Sequence, residues 1–250
     1  MARHGYRLGG VVFLSVGGIL GGMDWFYPFA IYLIAFICLI LQKISIPQIT
    51  IIPKTSHDLN VNKTNTKKTS IVCIIVLCSL VSMILFFTAF VGLPLLLPEM
   101  FKFSESQTGY FMAFISLVAV ICASQMPKFV FKIGTEPTIG TGFLFFMIGL
   151  LLFYVASNVP LLFCGAISMG IGFGMTVPLL NHWMVQSSSS EERGKNLGYY
   201  SMGIFGGQFL SSFFTELFTH IQYAFLTSAI IGAITSIFIF AINYQKRSMK

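Results

Sequence analysis

Long apolar runs separated by short polar breaks dominate this chain. A membrane-spanning helix needs roughly 20 mostly apolar residues. On that measure the pattern predicts eight helices, at about 8–22, 26–42, 71–97, 107–126, 138–156, 161–185, 197–219 and 222–243. The first two are short, the first is Gly-rich, and the third is interrupted by Gly92 and Pro94. Backbone polar groups find no water in lipid, so runs this apolar are expected to be helical. The longest polar stretch, about 43–70, carries Pro47, Pro53 and a Lys/Asn/Thr tail, and predicts a solvated linker.

Composition turns this pattern into a class. Of 250 residues, 56% are apolar and 15% aromatic, while only 9% are charged, against about 25% charged in soluble domains. So few polar side chains cannot cover a water-facing surface. A cytosolic enzyme, a nucleic-acid-binding domain and a disordered chain are excluded. The expected fold class is all-α, a polytopic transmembrane helix bundle of about eight spans.

The formal charge of +7 is a topology signal. If the runs alternate across the membrane, Lys102 alone falls on one side. The other side collects the remaining cations, among them Arg3, Arg7, Lys43, Lys128, Lys132, Arg193, Lys195 and Lys246. The positive-inside rule makes that side cytoplasmic. Both termini are then inside, an even number of spans is required, and a plasma (cell inner) membrane is the expected location. The first run also fits a secretory signal with Arg3 and Arg7 as its basic start, which would leave the other seven oriented as before. Asn62-Lys63-Thr64 is a glycosylation sequon that a cytoplasmic loop would leave inert.

Candidate chemistry is sparse. Cys38, Cys73, Cys78, Cys122 and Cys164 lie in apolar runs without metal-ligand spacing and read as small hydrophobes. The four histidines are scattered, and no Ser/His/Asp, HExxH or phosphate-loop pattern occurs. No enzyme activity, cofactor, metal or nucleic-acid partner is expected. The expected surroundings are membrane lipid. Carboxylates sit near span ends or in the linker, so no proton carrier is evident. Small-xxx-small pairs recur, at Gly17/Gly21, Gly18/Gly22, Gly170/Gly174 and Gly203/Gly207. Such pairs let helices approach closely in lipid, either as fixed packing or as a sliding surface. Pro94 and Pro178 lie inside spans and are expected to be tolerated or to bend their helices.

Three motifs carry a resemblance. Gly17-Gly18-Ile19-Leu20-Gly21-Gly22, followed by Trp25 and Phe29, is similar to the Gly-Pro-x-x-Gly-Gly signature of helix five in drug/proton antiporters, with Gly18 in place of Pro. Lys128-Phe129-Val130-Phe131-Lys132-Ile133-Gly134 resembles a basic loop between helices eight and nine; Lys132 and Gly134 match, Phe131 replaces an Asp and Pro127 a Gly. Glu192-Arg193-Gly194, then Gly198, Gly203, Gly206 and Gly207, resembles the loop before helix eleven and that helix's small-residue face. Together with the topology, these resemble helices five to twelve of a major facilitator superfamily permease, a partial form of that fold.

The resemblance implies two helices over 1–42 ending the N-terminal half, a central linker over 43–70 and a six-helix C-terminal half over 71–250. It implies transport of a small solute by alternating access, with one half rocking against the other. It also implies that the chain is N-terminally truncated, the missing helices coming from an upstream start or a partner; alone, the chain would then transport poorly. The alternative is a non-transporting membrane subunit or degenerate remnant that associates with a partner. By resemblance, the seam between halves takes Gly17, Gly18, Gly21, Gly22, Gly203 and Gly207, and the cytoplasmic loop motifs take Lys128, Lys132, Gly134, Arg193 and Gly194. Amides and ring groups in hydrocarbon must face other helices or a wet cavity. Gln208, on a family cavity helix, leads the candidate substrate contacts, followed by Tyr200, Asn181, His182 and Gln125.

Overall fold

The computed structural model describes residues 15–20, 22, 23, 26, 27, 29, 33–45 and 65–248. Residues 15–20 are helical, and seven further helices follow: α1 (Ile34–Ser45), α2 (Asn65–Phe101), α3 (Glu105–Ile133), α4 (Thr135–Tyr154), α5 (Val159–Ser187), α6 (Arg193–Glu216) and α7 (Ile221–Ser248). No strand occurs among the described residues. Most of the run expected at 8–22, including Gly21, lies outside them, as does 46–64 of the expected linker. Helix α2 begins at Asn65, within the stretch assigned to that linker.

Eight spans were expected; among the described residues five stretches are long and apolar enough to cross a membrane. They are Ser70–Phe101, Glu105–Ile133, Thr135–Tyr154, Val159–Ser187 and Ile221–Gln245. Helix α6, expected as an ordinary span, is not one of them. Its glycines and serines, with Asn196, Gln208, Arg193 and Lys195, dilute its apolar content. Packing against α2 holds it in the bundle instead. Helix α1 has 12 described residues, a length of about 18 Å.

Short links make α2–α7 alternate in direction. The main packed pairs are α4 with α5, α4 with α7, α2 with α6, and α3 with α5. Helix α2 also touches α5 and α7. Exchanging α2–α4 for α5–α7 carries the α2–α6 pair onto α5–α3 and the α4–α7 pair onto itself. Since α2 and α5 run oppositely, the six helices form two inverted three-helix units, the internal architecture of many transporter folds.

Lipid provides no hydrophobic drive between helices, so association depends on close van der Waals contact. Small residues make that contact possible here. A Cβ on Gly172 of α5 would lie 2.9 Å from the Phe146 nitrogen of α4, and one on Gly149 of α4 would lie 3.0 Å from the Met169 nitrogen. On its other side, α5 meets α3 through Gly174, where a Cβ would lie 2.6 Å from the Ala119 carbonyl oxygen. The aromatic core fills the wider gaps with Phe143, Phe146 and Phe153 of α4 and Phe225 of α7, all fully buried.

Buried hydroxyls mostly find partners along or between helices, as lipid favours, with Ser228 Oγ of α7 buried and unpaired among the described residues. Ser79 Oγ donates to Ile75 O (2.7 Å), Thr176 Oγ1 to Gly172 O (2.8 Å), and Ser236 Oγ of α7 to Gly140 O of α4 (2.8 Å). Pro94 and Pro98 of α2, Pro127 of α3 and Pro178 of α5 all lie inside continuous helices. Helix α3 starts with a reciprocal cap: Ser104 Oγ accepts from Gln107 N (3.2 Å) and Gln107 Oε1 accepts from Ser104 N (2.9 Å). It ends at Gly134, whose φ of 94° is open to glycine and lets a single residue join α3 to α4.

Candidate functional site

The sequence offered Gln208, Tyr200, Asn181, His182 and Gln125 as substrate contacts. The structure brings two of them together. Tyr200 of α6 is buried, and its hydroxyl crosses to α5, donating to Val177 O at 3.0 Å. The Asn181 side-chain amide reaches the same hydroxyl. Asn181 and His182 are exposed on α5, near its end. Gln125 is exposed on α3, and Gln208 is half-buried on α6, where its backbone oxygen accepts from Ser211 Oγ (2.6 Å). Among the described residues, no hydrogen bond joins Gln125, His182 or Gln208 to the Tyr200–Asn181 pair.

A second polar link lies where α5 turns into α6. Asn196 Nδ2 donates to Ser188 Oγ (2.9 Å), and Ser188 Oγ donates to Met184 O (2.7 Å). Glu192 N donates to Ser189 Oγ (3.3 Å). The loop-motif residues Arg193 and Gly194 are exposed beside this link and make no part of it. Lys128 and Lys132 are exposed on the last turns of α3, leading into Gly134.

The seam glycines separate into two environments. Gly203 and Gly207 do not face outward. A Cβ on Gly203 would meet Val76 O of α2 at 2.8 Å, and one on Gly207 would meet Leu80 O and, at 2.7 Å, Met83 Cβ. They are packing residues of the α2–α6 pair, while the outward face of α6 carries Met202, Phe205, Phe209 and Phe213. Gly18 and Gly22 instead meet α3. A Cβ on Gly18 would lie 2.9 Å from Gly109 Cα, and Ser106 Oγ donates to Gly18 O at 3.2 Å. Gly17 has open space around it. The N-terminal glycine motif thus touches the six-helix bundle at the start of α3.

An aromatic cluster at mid-depth was not expected from the sequence. Phe173, the central residue of α5, stacks at a tilt on Phe86 of α2, with ring centroids 4.1 Å apart. Phe90 lies 4.4 Å from Phe86 and 6.0 Å from Phe87. Phe86 is buried, whereas Phe87, Phe90 and Phe173 keep part of their surface open. With 27 Phe in the chain, only cross-helix geometry separates these four from lipid-facing rings.

Carboxylates are placed as the sequence implied. Among the described residues, Glu99, Glu105, Glu136 and Glu216 lie within a turn of helix ends, and Glu191 and Glu192 in the α5–α6 link. No group of His, Cys, Asp or Glu among these residues is arranged to hold a metal.

A bundle of inverted three-helix units with an aromatic mid-depth contact narrows the choice of family, and comparison decides it. Residues 75–249 match the family model of the Major Facilitator Superfamily. The chain belongs to that superfamily. With five long apolar helices among the described residues, it is a multi-pass integral membrane protein. The chain is similar to multidrug resistance protein 2 of Bacillus subtilis (strain 168), 26% identical over 164 residues, which cover 61% of this chain and 41% of that relative. Multidrug resistance protein 1 of the same organism is 26% identical over 162 residues, covering 60% of this chain and 42% of the relative. The chain therefore matches about two-fifths of the length of these relatives.

Proposed function

We propose that this chain takes part in moving a small amphipathic solute across a plasma membrane by alternating access, with α2–α7 acting as one rocking half. The observation that carries the reading is the partly open aromatic cluster of Phe87, Phe90 and Phe173 at the α2–α5 contact. An inverted-repeat transporter holds its substrate near the bilayer midplane, and Phe173 is the midpoint of its helix. Aromatic faces bind flat apolar groups by stacking, and they take delocalised cations over the ring face.

The Tyr200–Asn181 pair supplies a polar edge nearer the end of α5 that holds the loop to α6. Asn181 is exposed and spends one N–H on the Tyr200 oxygen, which leaves its second N–H donor and its carbonyl acceptor for a solute. Gln208 adds a second amide, on α6. The names of the two Bacillus relatives favour a drug-like lipophilic solute and outward movement. No carboxylate among the described residues lies at mid-helix, so recognition rests on stacking and neutral hydrogen bonds. By the cationic excess, Lys128, Lys132, Arg193 and Lys195 mark the cytoplasmic side, with both termini there.

The test uses the 250-residue chain in proteoliposomes with ethidium as the probe. The expected result is saturable ethidium binding, read by fluorescence, that Phe173→Ala weakens about tenfold, the scale of one lost stacking contact. Saturable flux competed by unlabelled ethidium would establish transport by this chain directly. Absence of both saturable binding and saturable flux would overturn the proposal.

A further inference from the structure

The end of α3 presents a feature that a substrate pathway leaves unused. Helix α3 has 29 residues, about 43 Å at 1.5 Å per residue. The stretch from Glu105 to Met126 already covers about 33 Å, which matches a hydrocarbon core of about 30 Å. Residues 127–133 therefore emerge at headgroup level while still helical. Met126 is buried and Val130 half-buried, which anchors this turn to the bundle. Everything else there points away from the bundle: Lys128 and Lys132 are exposed, Phe129 is 43% exposed, and Phe131 is 92% exposed. A phenyl ring that open would be costly in water.

The helical angles arrange these four side chains. Lys128 and Lys132 are four apart, so they stand one above the other, with Cβ atoms about 5–6 Å apart. Phe129 and Phe131 fall on opposite flanks of that row. The result is a two-ammonium strip with an aromatic ring on each side. Long lysine stems reach up to the headgroups while apolar neighbours stay in the acyl layer, and basic groups near a membrane surface attract anionic lipids.

We propose that this strip binds the headgroup phosphate of an anionic phospholipid. Lys128 and Lys132 grip the phosphate from one side, and Phe129 and Phe131 lie against the upper acyl chains. The lipid fixes the depth of the α3 end, from which Gly134 launches α4. The site is separate from the aromatic cluster and the Tyr200–Asn181 pair, and it stands whether or not these bind a solute.

The test places a reporter in the site. Phe131→Trp is made in the full chain with Trp25→Phe and Trp183→Phe, and the protein is reconstituted in phosphatidylcholine bilayers. Brominated phosphatidylglycerol or brominated phosphatidylcholine is then titrated in as quencher. Half-maximal quenching is expected at a mole fraction about tenfold lower with phosphatidylglycerol, as two lysines at the surface imply. Lys128→Gln with Lys132→Gln should equalise the two lipids while leaving the phosphatidylcholine quenching in place, and Lys128→Arg with Lys132→Arg should keep the preference. Equal quenching by both lipids in the unneutralised chain would overturn the proposal. So would a failure of both to quench, or a phosphatidylglycerol preference that survives the glutamine pair.

Discussion

Two adjacent glycines on α6 give a sharp test of how the bundle is held together. An added Cβ on Gly206 meets nothing within 4 Å, whereas one on Gly207 would press on Leu80 O and lie 2.7 Å from Met83 Cβ. Ordinary carbon–carbon contact is about 3.5–4.0 Å. The Gly207→Ala helix must therefore move away from α2 by roughly 1 Å, or α2 must bend. The carbonyl it meets belongs to a helical backbone and cannot swing aside as a side chain would. Gly206→Ala and Gly207→Ala gain the same helix propensity, about 1 kcal/mol relative to Gly, so that term cancels when the two are compared. What remains is the overpacking cost, about 1–3 kcal/mol. Reversible unfolding of the purified chain in mixed micelles, titrated with dodecyl sulfate and followed by circular dichroism, reads the difference. Gly207→Ala should unfold at lower denaturant than Gly206→Ala, and Gly206→Ala at or above the parent. Equal stability of the two within about 0.5 kcal/mol would refute the claim that Gly207, rather than the face beside it, seats α6 on α2.

Three further outcomes are expected. Tyr200→Phe keeps the ring but removes the hydroxyl that bridges to Val177 O and Asn181; it should cost about 1 kcal/mol in the same unfolding titration, and no loss would make the bridge incidental. Ser104→Ala removes the α3 cap and should cost about 1 kcal/mol, visible as faster amide exchange at Ser106 and Gln107 with the middle of α3 unchanged. Ser236→Ala breaks the hydrogen bond to Gly140 O between α7 and α4; an interhelical bond in a membrane protein is worth about 0.6 kcal/mol on average, so a loss above about 2 kcal/mol would mean that the hydroxyl also supports packing around it.

The existence and centres of α2–α7 were legible because they depend on local chemistry, although α2 starts at Asn65 rather than near 71 and α3 runs to Ile133 rather than ending near 126. A run of about 20 apolar residues must be helical in lipid, and the Ser104–Gln107 cap and Gly134 are encoded within a few residues of where they act. The pairing of Tyr200 with Asn181 was partly legible. Both were expected to face other helices because a buried polar group needs a partner, but the sequence does not say that the partner is the other, or that Val177 O completes the set. Gln125, His182 and Gln208 satisfied the same rule and lie apart from that pair.

What the chain determined by itself, then, was its class, its helices and the polar residues that must be accommodated. Which face of each helix meets which neighbour was decided only in three dimensions. Gly203 and Gly207, open in the sequence to fixed packing or to a sliding seam between halves, are packed against α2, while Gly18 and Gly22 touch α3 at Gly109 and Ser106. The reason is physical: in a chain that is apolar on every side, hydrophobic periodicity no longer distinguishes inside from outside. Lipid is as apolar as the core, so the choice falls to shape, to where a missing Cβ lets two backbones touch. The Phe86–Phe173 contact illustrates the same limit, since two rings 87 positions apart on different helices carry no mark in the sequence that separates them from phenylalanines facing lipid.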